Sequence, residues 1–92
     1  MPGPSPFEFR RLTDGLVYRF EPAAGSQPRW KRTDADLWCE RHPGRGWVIA
    51  DATGTALGWP LDGVAVGHAP PSGRWRSHKG EKSYVYELVW LA

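Results

Sequence analysis

Residues Phe7–Glu21 read FEFRRLTDGLVYRFE, two alternating segments joined through Asp14-Gly15. In Phe7 to Leu12 and Leu16 to Glu21, aromatic residues recur at every second position, the period of a half-buried strand. Asp-Gly favours a two-residue type I′ turn, in which both central residues take positive φ. That turn predicts pairs Thr13–Leu16, Arg11–Tyr18 and Phe9–Phe20, and gathers Phe7, Phe9, Tyr18 and Phe20 on a core face. The opposite face carries Glu8, Arg10, Arg19 and Glu21, where direct partners repel and the diagonals Glu8–Arg19 and Arg10–Glu21 attract. A slip of one residue would set Phe9 against Arg19 and mix the faces.

Before this hairpin, Met1 to Pro6 alternates proline with small residues and is expected to be a disordered leader, with residues 7–92 forming a single β-domain. After it, Pro22 to Pro28 reads as a turn-rich connection. Arg29 to His42 is the longest stretch without Pro or Gly, and Thr33 with Asp34 and Asp36 behind it has the makings of a helix start. The preferred reading is instead a hairpin, Asp36 to Arg41 and Trp47 to Asp51, around a five-residue loop at His42–Gly46. It sets Cys39 opposite Ile49 and Trp38 opposite Ala50.

Short strands are predicted at Thr55–Trp59, Val64–His68 and Arg74–His78, separated by Gly- and Pro-rich turns. Lys79-Gly80-Glu81 reverses the chain into Ser83–Leu91, with Tyr84, Tyr86, Leu88 and Trp90 on one face and Val85, Val89 and Leu91 on the other. Apolar residues on both faces suggest a central strand, in which Glu87 would be nearly buried and need a partner. About seven short strands at spacings near ten residues describe an all-β, antiparallel barrel or sandwich. The succession resembles small Trp/Gly-rich β-modules of interaction proteins, a likeness of texture that implies binding and assigns no residue.

Ninety-two residues support one core, and with six Trp, three Tyr and three Phe that core is expected to be mainly aromatic. Trp30, Trp38, Trp47, Trp59, Trp75 and Trp90 are therefore first of all core candidates. Net charge is only +2, too little to imply nucleic acid by itself. No apolar run approaches the length of a membrane span, and no secretory leader is visible. Cys39, the single cysteine, excludes an internal disulfide and points to a cytoplasmic setting.

Catalytic and metal chemistry find little support. Cys39 and His42 have the spacing of a zinc half-site that His68 and His78 would have to complete, but a second close ligand pair is missing. The same Cys39 and His42 lack a third orienting group for nucleophilic work. No pair of carboxylates stands out, and Gly44 and Gly46 precede a strand, not a phosphate-binding helix. No cofactor and no metal are expected.

What remains is cations beside indoles: Arg29-Trp30-Lys31-Arg32, Arg45-Gly46-Trp47 and Arg74-Trp75-Arg76-Ser77-His78-Lys79. Arg74, Trp75, Arg76, His78 and Lys79, with Trp30, Arg45 and Trp47, are the candidate binding residues. The competing structural reading turns Trp75 inward and Arg74 and Arg76 outward, as period two requires. The expected function is a non-catalytic module for a protein partner or a second copy, since a sheet with glycine-weakened edges accepts a partner strand. Single-stranded nucleic acid, through stacking and phosphate contacts, and carbohydrate are the alternatives.

Overall fold

The computed structural model describes residues 5–25, 27–61 and 69–91, and every regular element among them is a strand. These are β1 (Phe7–Arg11), β2 (Val17–Ala23), β3 (Arg29–Arg32), β4 (Leu37–His42), β5 (Gly46–Asp51), β6 (Ala56–Pro60), β7 (Gly73–Lys79) and β8 (Lys82–Trp90). Each is antiparallel to the next, and β8 pairs with β1 from Phe7↔Trp90 to Arg11↔Tyr86, so the sheet closes into a barrel. The all-β, antiparallel expectation holds, with eight strands in place of about seven. Closure leaves no open sheet edge among the described strands.

The β1–β2 hairpin has the predicted faces but not the predicted register. Phe7 pairs with Phe20 and Phe9 with Tyr18, two residues away from the expected pairing. The cause lies in the turn. Gly15 has φ +73°, but no described residue other than glycine has positive φ, so Asp14 does not adopt the type I′ conformation. Residues 12–15 form a longer turn, in which the Gly15 N–H donates to the Arg11 carbonyl at 2.8 Å and the Arg11 N–H to the Leu16 carbonyl at 2.7 Å. A shift of two is a whole period, so the core face survives. On the outer face Glu8 now stands directly opposite Arg19, and the ion pairs run along the strands, Arg10–Glu8 at 3.1 Å and Arg19–Glu21 at 3.2 Å, not along the diagonals.

Beyond Glu21, β2 continues through Pro22 to Ala23 and pairs with β3, a strand the sequence reading did not anticipate. Its Trp30 is buried while Arg29 is exposed, the alternation that a run of three basic residues conceals. The helix considered from Thr33 does not form, because residues 33–36 are the turn between β3 and β4. The β4–β5 hairpin has the predicted register, Cys39↔Ile49 and Trp38↔Ala50, and its loop shortens to residues 43–45 because His42 pairs with Gly46. The strand predicted over Val64–His68 lies outside the described residues. Glu87, expected to be nearly buried, is exposed and stands in register between Arg10 and Arg74.

An eight-stranded barrel has an interior just wide enough for side chains to fill. Here the filling is graded. At the end carrying the 24–28 and 43–45 loops, Trp30 meets Trp47 at 5.7 Å and Trp90 at 5.5 Å, with Phe7 at 5.9 Å from Trp30. Phe9, Phe20, Trp75, Tyr86 and Leu88 occupy the middle. Tyr18 and Tyr84 lie towards the other end, under the 12–16, 33–36 and 80–81 turns. Buried indoles still need a hydrogen-bond acceptor. Trp30 Nε1 donates to the Ser5 carbonyl at 2.9 Å and Trp75 Nε1 to the Pro71 carbonyl at 3.0 Å. Most of the expected leader lies outside the described residues, but its last two members, Ser5 and Pro6, bond to the barrel, Pro6 accepting from the Leu91 N–H at 2.9 Å.

Candidate binding face on the outer wall

Strand alternation divides the residues that the sequence singles out. Trp30, Trp47 and Trp75 face the interior and are buried, so the indoles of all three basic clusters are core and not stacking platforms. Arg74 and Arg76 are exposed on the outer side of β7, as the structural reading of that cluster required. His78 is half-buried on the same side, its ring 5.0 Å from that of Trp59. Lys79 ends β7 opposite Lys82, and Arg45 is exposed in the turn between β4 and β5. The eight candidates therefore do not converge on one site.

Cys39 is fully buried, and burial pushes its thiol well above the usual range. On β4 it stands three residues from His42, hence on the opposite face, and His42 Nε2 contacts Glu40 Oε2 at 2.6 Å. The two do not form the ligand pair or the nucleophile–base pair that their spacing suggests. His68 lies outside the described residues, and among those described no three His, Cys, Asp or Glu side chains cluster as a metal site would require.

Two arginines close the tyrosine end of the interior. Arg11 and Arg32 are in register with the inward-facing Tyr86 and Phe20. The Arg11 guanidinium lies 4.5 Å from the Tyr84 ring centre and that of Arg32 3.9 Å from Tyr18. Each is held from outside by a turn carboxylate, Arg11 by Asp14 at 2.6 and 2.8 Å and Arg32 by Asp34. The Arg11 hydrogen bonds draw the Asp14 carboxyl down to about 2, and Arg32 lowers Asp34 in the same way. Planar cations stacked on phenols and forked onto carboxylates make a compact polar plug. Each guanidinium directs its Nε and one terminal nitrogen to its carboxylate.

The outer wall of β3–β5 is different. Trp38 points outward from β4, half-buried, with Arg29 at 5.8 Å and Lys31 at 5.7 Å from its ring. Across the ladder on β5 stands Ala50, itself fully buried beside the half-buried indole. A recess of about 410 Å³ opens there, bounded by Arg29, Trp38, Glu40, Asp51 and residues 52–54. A second, about 320 Å³, adjoins it and is bounded by Gly25, Gln27, Pro28, Arg29, Glu40 and Arg41. Arg29 and Glu40 border both, 3.9 Å apart.

The far rim of the larger recess is preset. Asp51 Oδ1 accepts from the Thr53 hydroxyl at 2.6 Å and from the Thr53 and Thr55 N–H groups at 2.9 and 3.0 Å. These bonds, the Thr53 hydroxyl foremost, lower the Asp51 carboxyl and fix the 52–55 turn. Lys31 is committed to the Arg32 and Ala35 carbonyls at 3.3 and 3.2 Å. Arg29 is not so committed: its contact with Glu40 exceeds hydrogen-bond length, and a guanidinium has five donors. Among the described residues the wall thus presents an indole, donors and acceptors side by side. Sequence reading placed Trp38 opposite Ala50 but drew no site from it, because the recess arises from the neighbouring strand and turn. Compared with protein-family models, curated proteins and solved structures, the chain matches none of them.

Proposed function

We propose that this protein is a non-catalytic binding module that takes its ligand on the outer wall of β3–β5, with Trp38 as the contact surface. One observation carries the reading: two recesses meet at the Arg29–Glu40 pair beside an indole that the core does not use. Trp30, Trp47, Trp75 and Trp90 are packed within the interior, and Trp59 lies against His78. A free thiol at Cys39 is in keeping with a cytoplasmic setting. No helix among the described residues is long and apolar enough to cross a membrane.

A protein partner or a second copy is the second reading, and a separate observation favours it. Leu12, Leu16 and Val17 are each between 44 and 49% exposed around the β1–β2 turn, an apolar tip of the kind that protein contacts cover. Amide shift mapping separates the two faces. Neutral oligosaccharides, mixed-charge peptides and a short oligothymidylate are titrated in turn, and the protein alone is diluted. The primary reading expects shifts confined to residues around Arg29, Trp38, Glu40 and Thr53. It is overturned if none of the three ligand classes moves that wall, while concentration-dependent shifts at 12–17 would establish self-association through the hairpin.

A further inference from the structure

We infer that the outer wall of β6 and β7 docks an extended segment of another protein in which apolar and acidic residues alternate. This surface is separate from the Trp38 wall. It consists of a row of apolar side chains on one strand beside a row of basic ones on the next.

Alternation builds both rows. Gly58 and Pro60 are buried, so Leu57, Trp59 and Leu61 take the outer side of β6 and its continuation, Leu57 half-buried and Trp59 and Leu61 exposed. On β7 the buried Trp75 turns Arg74 and Arg76 outward, and His78 follows on the same side. The register sets the rows side by side: Trp59 pairs with Arg76, and the Leu61 N–H donates to the Arg74 carbonyl at 3.0 Å. Arg10, Arg11, Arg19, Arg29 and Arg32 each have a carboxylate within ion-pair distance. Among the described residues Arg74 and Arg76 have neither an ion pair nor a hydrogen bond from the guanidinium, although Glu87 stands across the ladder from Arg74. Two uncommitted guanidiniums on one strand face are matched by carboxylates from outside the chain.

Outward residues recur about every 6.8 Å along a strand, and an extended peptide has the same repeat. Laid flat along the two strands, such a peptide sends its side chains alternately to either side, apolar ones onto Leu57, Trp59 and Leu61 and acidic ones onto Arg74 and Arg76. Trp and Arg are also the residue types that carry most binding energy at protein interfaces. Other occupants match one row only. A single strand of nucleic acid would find phosphate partners in the arginines but one ring to stack on, already faced by His78 at 5.0 Å, with leucines on either side where the next bases would lie. A second copy docked on the same face would bring the unpaired arginines of both chains together.

The test titrates the whole chain with end-blocked peptides of about nine residues, long enough to pass along both rows. The panel alternates Leu, Val or Phe with Glu or Asp, and a matched set carries Lys in place of the acidic residues. Acidic peptides should shift the amides of 57–61 and 74–78, and the Lys set should not. Arg74→Glu combined with Arg76→Glu should exchange the preference, acidic peptides losing more than about tenfold in affinity and Lys peptides gaining, a reversal that an unfolded variant could not produce. Trp59→Ala should weaken the acidic peptides about tenfold, and Trp38→Ala should leave them unchanged. The docking surface is overturned if no acidic peptide moves these residues, if charge reversal fails to exchange the preference, or if oligothymidylate alone binds there. Concentration-dependent shifts at 57–61 and 74–78 in the protein alone would overturn it in favour of a second copy. Peptide shifts confined to residues around Trp38 would overturn it while leaving the Trp38 site standing.

Discussion

Trp75 shows how much rests on single rings in so short a chain. It is fully buried, 5.4 Å from Phe9, with its N–H bound to the Pro71 carbonyl. Trp75→Ala would remove the ring and leave a cavity, a cost of about 3–5 kcal/mol, against a total stability of about 5–15 kcal/mol for a domain. The expected outcome is a melting temperature lowered by roughly 10–40 °C; a variant that melts within a few degrees of the parent would contradict the burial. Trp59→Ala should be mild by comparison, because that ring is 39% exposed. Alternation made the inward turn of Trp75 legible from Arg74 and Arg76 on either side. It did not distinguish Trp38 from Cys39, adjacent apolar residues on opposite faces, because either would pass for the core member. The register decides between them: Cys39 stands between Trp30 and Ile49, both of the interior cluster, and Trp38 between Lys31 and Ala50.

At the level of elements, the β1–β2 hairpin separates what alternation specifies from what turns specify. The face holding Phe7, Phe9, Tyr18 and Phe20 could be read directly, since any even shift preserves it. The register could not, because it depended on whether Asp14 would take a positive φ, and Asp14 is instead held as a carboxylate by Arg11 and by the Leu16 N–H at 3.2 Å. That staple makes the hairpin sensitive to acid. The folded carboxyl titrates at about 2 against a usual 3.8, so its stabilisation is fully present above the usual value and is lost as pH falls through about 2. A carbon-detected titration should find the Asp14 midpoint near 2. Asp14→Asn should lower the melting temperature at neutral pH and lose that difference in strong acid; a midpoint near 4 would show that the Arg11 contact does not hold in solution. β3 was missed for a related reason: Arg-Trp-Lys-Arg shows one apolar residue among cations, and its inward Arg32 becomes intelligible only with Tyr18 beneath it and Asp34 beyond.

For the molecule as a whole, the decisive fact is the β1–β8 seam, which a barrel has and a sandwich lacks, though both show the same alternation along every strand. Most pairings join neighbours in sequence and form locally, whereas the seam joins Phe7 to Trp90 across nearly the whole chain. The seam also completes the interior: Phe7 packs on Trp90 at 5.2 Å, and Phe9 lies 5.6 Å from Tyr86, so opening it would expose aromatic rings at one end and in the middle. With no edge to fray, β1 and β8 should share the stability of the hairpin opposite them. Native-state hydrogen exchange is expected to show the amides of β1 and β8 opening with free energies within about 1 kcal/mol of those of β4 and β5, as one cooperative unit. Tryptophan fluorescence and far-UV circular dichroism should then report coincident denaturant transitions. Exchange of the seam amides at fraying rates while β4 and β5 stay protected would mean an open sheet in solution. A strand-accepting edge would then return, and the case for a ligand on the outer wall would have to compete with it.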